Sequence, residues 1–454
     1  MQYNNFILTF LLISINKIEA KVNDSNDELS WTTTMGNVHN TRRLIPSVST
    51  EYNGTTWTSI FNSSSQDSTV FGTAAGINGD LYLFLTDSRY SSADYMLCLT
   101  TNGEIRWHLH LESPSLKINV GVSNIVSDQK NNLLYYTSSW ADSGTFISKI
   151  CRVFYPDTHH PAQECVDTYK ISSNFLAPLA LNTKADLLIT TVIENAPAAF
   201  NITTFEMVWT SAETMGSDAS TDYKIDSRTG DIYWIGGDDD MYKMNANGTR
   251  LFINDTNSGG NRYFAFDSQQ QIIVRAWQNL SDHDWPLIVS GWNIEKNGLH
   301  ERWQWKKGNS SYINMDCTPP VIDNQNDAIY FVNLPNAIAL NINTGLPRWQ
   351  IDMVTIDEMN DFDLVSECTA FNEQTRILYV LVRSTKTSFK LFLIAVHVDT
   401  GKILRRMDLI VTEKQITIPF CPILIGNDMV YLSWLTGNYP DLVPLTISGV
   451  PQLS

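Results

Sequence analysis

The sequence predicts an all-β fold, an eight-bladed β-propeller of four-stranded antiparallel blades, and three observations predict it. A module of four short strands and three turns recurs about eight times. Its units begin near Val70, Ile118, Phe175, Ala219, Arg262, Tyr312, Asp363 and Ile416, 43 to 57 residues apart, the period of propellers built from four-stranded blades. The last unit is truncated, and a short strand around Trp57 has no unit of its own.

The stretch from Pro319 to Met353 displays the module. Val321-Ile322 end a first strand and Asp323 to Asp327 turn the chain. Ile329 to Val332 make the second strand, and Leu334-Pro335-Asn336 turn again. Ile338 to Asn341 form the third, Asn343-Thr344-Gly345 a tight turn, and Pro347 to Ile351 the fourth, with Trp349. Alternating apolar residues between Asn, Asp, Gly and Pro clusters are what an antiparallel meander needs.

The first hairpin is the most regular part. Its turn and second strand read NGD-LYLF, DQKNN-LLYY, NTKAD-LLIT, DSRTGD-IYWI, DSQQQ-IIVR, DNQND-AIYF, NEQTR-ILYV and GND-MVYL. The turn before the fourth strand recurs as TNGEIRW, ANGTRLF, KNGLHERW, NTGLPRW and DTGKILR, with NITTFEMVW more divergent. Gly in these centres supplies the positive φ of tight hairpins. Trp57, Trp107, Trp209, Trp303 or Trp305, and Trp349 fall at equivalent places in fourth strands, where large rings dock one blade on the next. After Ile416 only three strands remain. Pairing them with the strand at Trp57 completes the eighth blade from both chain ends and leaves no free sheet edge.

Composition fits one large folded body: 43% hydrophobic, 11% aromatic and 17% charged over 454 residues, enough apolar residue for a sizeable core. The net charge of −17 argues against nucleic-acid or anionic-lipid partners and favours basic partners or cations. Phe6 to Ile15 is an apolar run too short to span a bilayer. Residues 1–20 therefore read as a signal peptide, 21–30 as a polar tail and 31–454 as a single propeller domain. Eight N-x-S/T sequons, at Asn23, Asn53, Asn62, Asn201, Asn247, Asn254, Asn279 and Asn309, fit a glycosylated secreted or lumenal protein.

In that compartment cysteines pair. Cys151 and Cys165 flank a Pro-rich loop between two strands and are expected to form a disulfide, which for a loop of about 15 residues contributes about 3 kcal/mol. Cys317, Cys368 and Cys421 occupy matching places in first strands of three consecutive units, near the upper mouth of the channel. They could be a thiol cluster for a soft metal, small buried residues, or one bridge between neighbouring blades. Cys98 reads as a buried apolar residue. Asp238, Asp239 and Asp240, with Asp282 and Asp284, lie on loops joining second to third strands. They are candidates for a cation site or a basic partner, although neither loop has calcium-loop spacing. Asp157-Thr158-His159-His160 reads as a surface turn on the opposite face. No G-x-S-x-G elbow, H-E-x-x-H or phosphate-cradling loop occurs.

The recurring DG/NG-x-LY…AL…TG-x-x-W rhythm, clearest at Gly345 with Trp349 and Gly103 with Trp107, resembles the PQQ-like repeat, quinoprotein alcohol dehydrogenase-like family of eight-bladed propellers. The stretch Trp31…Gly36-Asn37…His39-Asn40-Thr41-Arg42 resembles that family's lead-in, with Asn37 displaced from the usual Asp position. The resemblance implies either a quinone-dependent sugar or alcohol dehydrogenase, with PQQ and calcium in the channel, or a non-catalytic binding platform. This chain has no adjacent cysteines and no C-x-x-C-H. A non-catalytic scaffold without cofactor, binding protein or glycan partners through upper-face loops and the channel mouth, is the expectation; a dehydrogenase and a calcium-binding module are the alternatives.

Overall fold

In a computed structural model the described residues are 43–44, 57–61, 70–76, 78–85, 95–111, 121–122, 124–142, 145–168, 179–192, 196–211, 223–236, 240–254, 264–278, 286–307, 318–333, 335–353, 362–384, 391–409, 416–417, 424–425, 429–436 and 445–451. They form strands and turns only, arranged in eight sheets. The expected signal peptide, polar tail and lead-in around Trp31 lie outside them.

Each sheet is built on an antiparallel meander, and the last two also take a strand from the N-terminal part of the chain. The sixth shows why the sequence reads so clearly: Val321–Asp323, Ala328–Asn333, Asn336–Asn341 and Pro347–Asp352 pair successively antiparallel. The second strand is buried along its whole length, whereas the fourth alternates between exposed and half-buried residues. Inner strands are covered on both faces by neighbouring sheets, so their residues are apolar throughout; the outermost strand has one face in water and alternates.

The core lies between sheets. One cluster joins the first and second sheets through Tyr82, Phe84, Trp107, Tyr136 and Cys151. Another joins the sixth and seventh through Tyr330, Val332, Phe371, Val380 and Ile394. Such clusters are what a radial array of blades produces, since each blade buries its faces only on its neighbours.

The last sheet is shared by both ends of the chain, as the truncated repeat predicts. Trp57–Phe61 pairs antiparallel with Leu445–Pro451, Trp57 facing Gly449 and Phe61 facing Leu445. Its inner strand Leu424–Ile425 lies against those of both the seventh sheet, Phe362–Asn372, and the first, Val70–Ala75. That double contact is what a closed eight-bladed ring requires. A feature unforeseen in the sequence is Arg43–Leu44, which runs parallel to the inner strand of the seventh blade, Arg43 facing Phe371 and Leu44 facing Asn372.

Candidate functional site

The two faces of the ring are built differently. The lower face carries the turns that join first to second and third to fourth strands; the upper face carries the others.

On the lower face the first hairpin of each of the first seven blades closes on one residue with positive φ: Gly79, Asn132, Asp186, Gly230, Gln271, Asp327 or Arg376. The turn opens on an Asp or Asn whose carboxyl or amide oxygen accepts backbone N–H groups. Asp128 accepts from Asn131, Asp226 from Arg228, Asp267 from Gln269, Asp323 from Gln325, and Asn372 from Gln374. A short acceptor side chain at the turn's start is the local reason these segments turn.

These turns also lock successive blades together. Asn182 of the third blade donates to the Gly230 carbonyl of the fourth at 2.8 Å. Gln271 of the fifth donates to Asp226 of the fourth at 2.9 Å, and Gln270 to Asp327 of the sixth at 2.7 Å. Arg376 of the seventh donates to Asp323 of the sixth at 2.6 Å and to its own blade's Asp399 at 2.6 Å.

The fourth-strand tryptophans dock as the sequence predicts. Indole N–H groups of Trp107, Trp209, Trp303 and Trp349 donate to carbonyls of the next blade, Pro156, Ala246, Ile342 and Val398, at 2.7, 2.8, 2.7 and 2.5 Å. Of the pair left open by the sequence, Trp303 makes this bond, and Trp305 packs edge-on against Phe331 of the next blade. Gly345, at φ 68°, lies under the Trp303 ring, where an added Cβ would come within 2.4 Å of it; no other residue type fits both the space and the backbone. In NITTFEMVW, Phe205 takes the positive φ that Gly103, Gly248, Gly345 and Gly401 take in other blades, as Tyr155 does in the second.

At two joints of this face a buried carboxylate accepts a hydrogen bond from an arginine. Asp80 is 2% exposed. One of its oxygens accepts from Arg106 Nη2 at 2.9 Å, and Arg106 Nη1 also donates to the Asp157 carbonyl of the second blade. Burial pushes the Asp80 carboxyl up to about 6, Arg106 only partly offsetting it and Asp157 adding to it. At Asp323 burial opposes the charge too. There Arg376, Tyr330 and Asn326 hold the carboxyl below its ordinary value.

Among the described residues, six blades carry a bulge near the lower face where the third strand pairs with the fourth; on the upper face the inner strands of four consecutive blades depart from regular pairing. In the seventh, Leu364 faces Val382 and Thr369 faces Val380, so residues 365–368 stand against Leu381 alone. In the eighth, Thr417 faces Leu435 and Leu424 faces Tyr431, so the register shifts by three residues between the two pairs. The first blade shifts register between Phe71 and Thr73. In the second, Gly121–Val122 and Val126–Asp128 are separate strands on one partner. Extra residues in a strand bend it and re-aim its side chains, and such bulges gather at binding sites. The upper halves of these inner strands, around the channel mouth, are the candidate site.

Of the residues singled out in the sequence, Cys368 ends the looped-out segment of the seventh blade, in a strand described for its backbone. Cys317 and Cys421 lie outside the described residues. Cys151 and Cys165 face each other on the third and fourth strands of the second blade and are disulfide-bonded. Cys98 is a free, buried thiol, pushed up by burial. Asp238, Asp239, Asp282 and Asp284 lie outside the described residues. Asp240 is half-buried, its carbonyl accepting from the Gly236 N–H at 2.9 Å. Asn201 is half-buried and its side-chain oxygen accepts from the backbone of Thr203 and Thr204; Asn247 is exposed on a lower-face turn. Asn254 is described for its backbone only, and Asn23, Asn53, Asn62, Asn279 and Asn309 lie outside. Asp157-Thr158-His159-His160 is a surface turn, with Thr158, His159 and His160 exposed; its half-buried Asp157 accepts from Asn132 at 2.7 Å and through its carbonyl from Arg106. Among the described residues no three His, Cys, Asp or Glu side chains are grouped to hold a metal, and no helix is long and apolar enough to cross a membrane.

No protein-family model and no curated protein matches this sequence. Solved structures do. The C-terminal WD40 domain of Sif2 is 9% identical, with a TM-score of 0.52 over 86% of this chain and 96% of that one. BamB from Moraxella catarrhalis is 14% identical, with a TM-score of 0.42 over 85% of this chain and 100% of that one. The computationally designed Ika8 protein is 12% identical, with a TM-score of 0.49 over 85% of this chain and 98% of that one. At such identities the likeness to the WD40 domain shows the fold alone, and that fold is a β-propeller.

Proposed function

We propose that this chain is a secreted or lumenal, N-glycosylated scaffold, non-catalytic and without cofactor, that binds a protein or glycan partner through its upper-face loops and channel mouth. On this reading it is a divergent member of the PQQ-like repeat class that keeps the architecture without the quinone. The observation that carries the proposal is the contrast between the faces: the turns below are tied blade to blade and the bulges beside them repeat alike in six blades, while in the upper halves the inner strands of four blades depart from regular pairing, each in its own way. A platform needs a rigid frame and a variable surface, and loops on such a frame are where binding residues concentrate. The net charge of −17 favours a partner with a basic face.

The test is a photo-crosslinker installed in the full chain at Asp240, on the upper face, or at Thr344, on the lower, during expression through the secretory pathway. A discrete adduct from position 240 and none from 344 is expected; the reverse pattern overturns the proposal. Dye reduction by protein soaked with pyrroloquinoline quinone and calcium would replace the scaffold with the dehydrogenase reading.

A further inference from the structure

We propose that Asp80 is a proton-binding site in the joint between the first and second blades, so that this joint is tighter in a mildly acidic compartment than at neutral pH. The inference is independent of which partner the upper face binds.

The geometry is that of a carboxylate with half its hydrogen bonds missing. Asp80 ends the first hairpin turn of the first blade, 2% exposed. One oxygen is held by Arg106 at 2.9 Å. The other is buried and has no partner, and so is Nε of Arg106. A charged carboxylate out of water with one donor bears an uncompensated desolvation cost, which a proton on the free oxygen removes. The oxygen bonded to Arg106 keeps its bond, and the proton comes from solvent.

The groups facing Asp80 are Tyr82 on the second strand, Cys98 on the third, Arg106 on the fourth, and Asp157 on the next blade's turn. His159 of that turn touches the Arg106 carbonyl through Nδ1 at 3.3 Å. Arg106 is the one cation in the set, and Asp157 opposes the charge on Asp80. The carboxyl rises from 3.8 to about 6, a proton held roughly a hundredfold more tightly than by an ordinary aspartate. A carboxyl raised on folding favours the folded state while protonated. Its contribution is complete below about 4 and is lost as pH rises through about 6.

Asp80→Asn keeps an oxygen for Arg106 and removes the charge. Thermal unfolding of the full chain from pH 4.5 to 8 should show the variant melting about 2 °C above wild type at pH 7.5 and level with it at pH 4.5. A variant that melts lower at pH 7.5, or differs equally at both ends, overturns the proposal. Should the variant not fold, hydrogen exchange of the wild-type chain decides. Corrected for intrinsic rates, peptides spanning 78–85 and 155–160 should be several-fold better protected at pH 5.5 than at 7.5, relative to the peptide spanning 323–330. Equal or lower protection sinks the inference.

Discussion

In the joint between the first and second blades, Asp80 accepts one hydrogen bond, from Arg106 at 2.9 Å, and its other oxygen has no partner. In the joint between the sixth and seventh, Asp323 accepts from the Gln325 backbone, Asn326, the Tyr330 hydroxyl at 2.8 Å and Arg376 at 2.6 Å. Both carboxylates are almost fully buried, and both face an arginine. Yet burial wins at Asp80, which is raised, and loses at Asp323, which is lowered. An ion pair alone does not decide the state of a buried acid. The number of donors around it does, because each bond to the charged form replaces part of the lost hydration.

The largest effect should come from removing the arginine on the well-served side. Arg376→Met strips Asp323 of its cation and Asp399 of its partner, and should destabilise the chain by about 3 kcal/mol, read as a fall in melting temperature at pH 7.5. Arg106→Met should cost less at the same pH, because Asp80 answers by taking a proton. If the two variants fall equally, the donor count is not what separates the joints.

A smaller change sharpens the comparison by making Asp323 resemble Asp80. Tyr330→Phe deletes one donor and should cost about 1–2 kcal/mol at neutral pH. A carboxyl lowered on folding stabilises above its ordinary value and loses that contribution as pH falls through its folded value. With one donor fewer that folded value rises, so acid unfolding, followed by tryptophan fluorescence, should begin at a higher pH in the variant.

Much of this was legible in the residues. The Asp or Asn that opens the first hairpin in the second to seventh blades, the glycines with Trp349 and Trp107, the Cys151–Cys165 pair and the sharing of the last sheet by Trp57–Phe61 all have local signals, because turn chemistry and strand alternation act within a few residues. The two carboxylate joints had none. Asp323 and Arg376 are 53 positions apart and Asp80 and Arg106 are 26. In one case the arginine closes the next blade's turn and in the other it stands on the same blade's last strand. The looped-out residues 365–368 were equally hidden, since SECTAF reads as an unbroken strand until its partner is known. Nothing in the residues singled out Arg43–Leu44 as a strand on the inner edge of the seventh blade.

The smallest prediction asks whether charge is the whole difference. Both joints share one neutral clamp: Trp107 donates to Pro156 in the first, and Trp349 to Val398 in the second. Trp107→Phe and Trp349→Phe each remove that donor and leave a carbonyl of the next blade short of a partner, a loss of about 1 kcal/mol. Because neither indole carries charge, the two losses should match and stay constant between pH 5 and pH 7.5, in contrast to the difference made by Asp80→Asn. Melting curves of both variants at the two pH values test this. A Trp107→Phe loss that grows toward neutral pH would mean that the clamp and the Asp80 carboxylate act as one unit, and the comparison of donors would then have to include the indole.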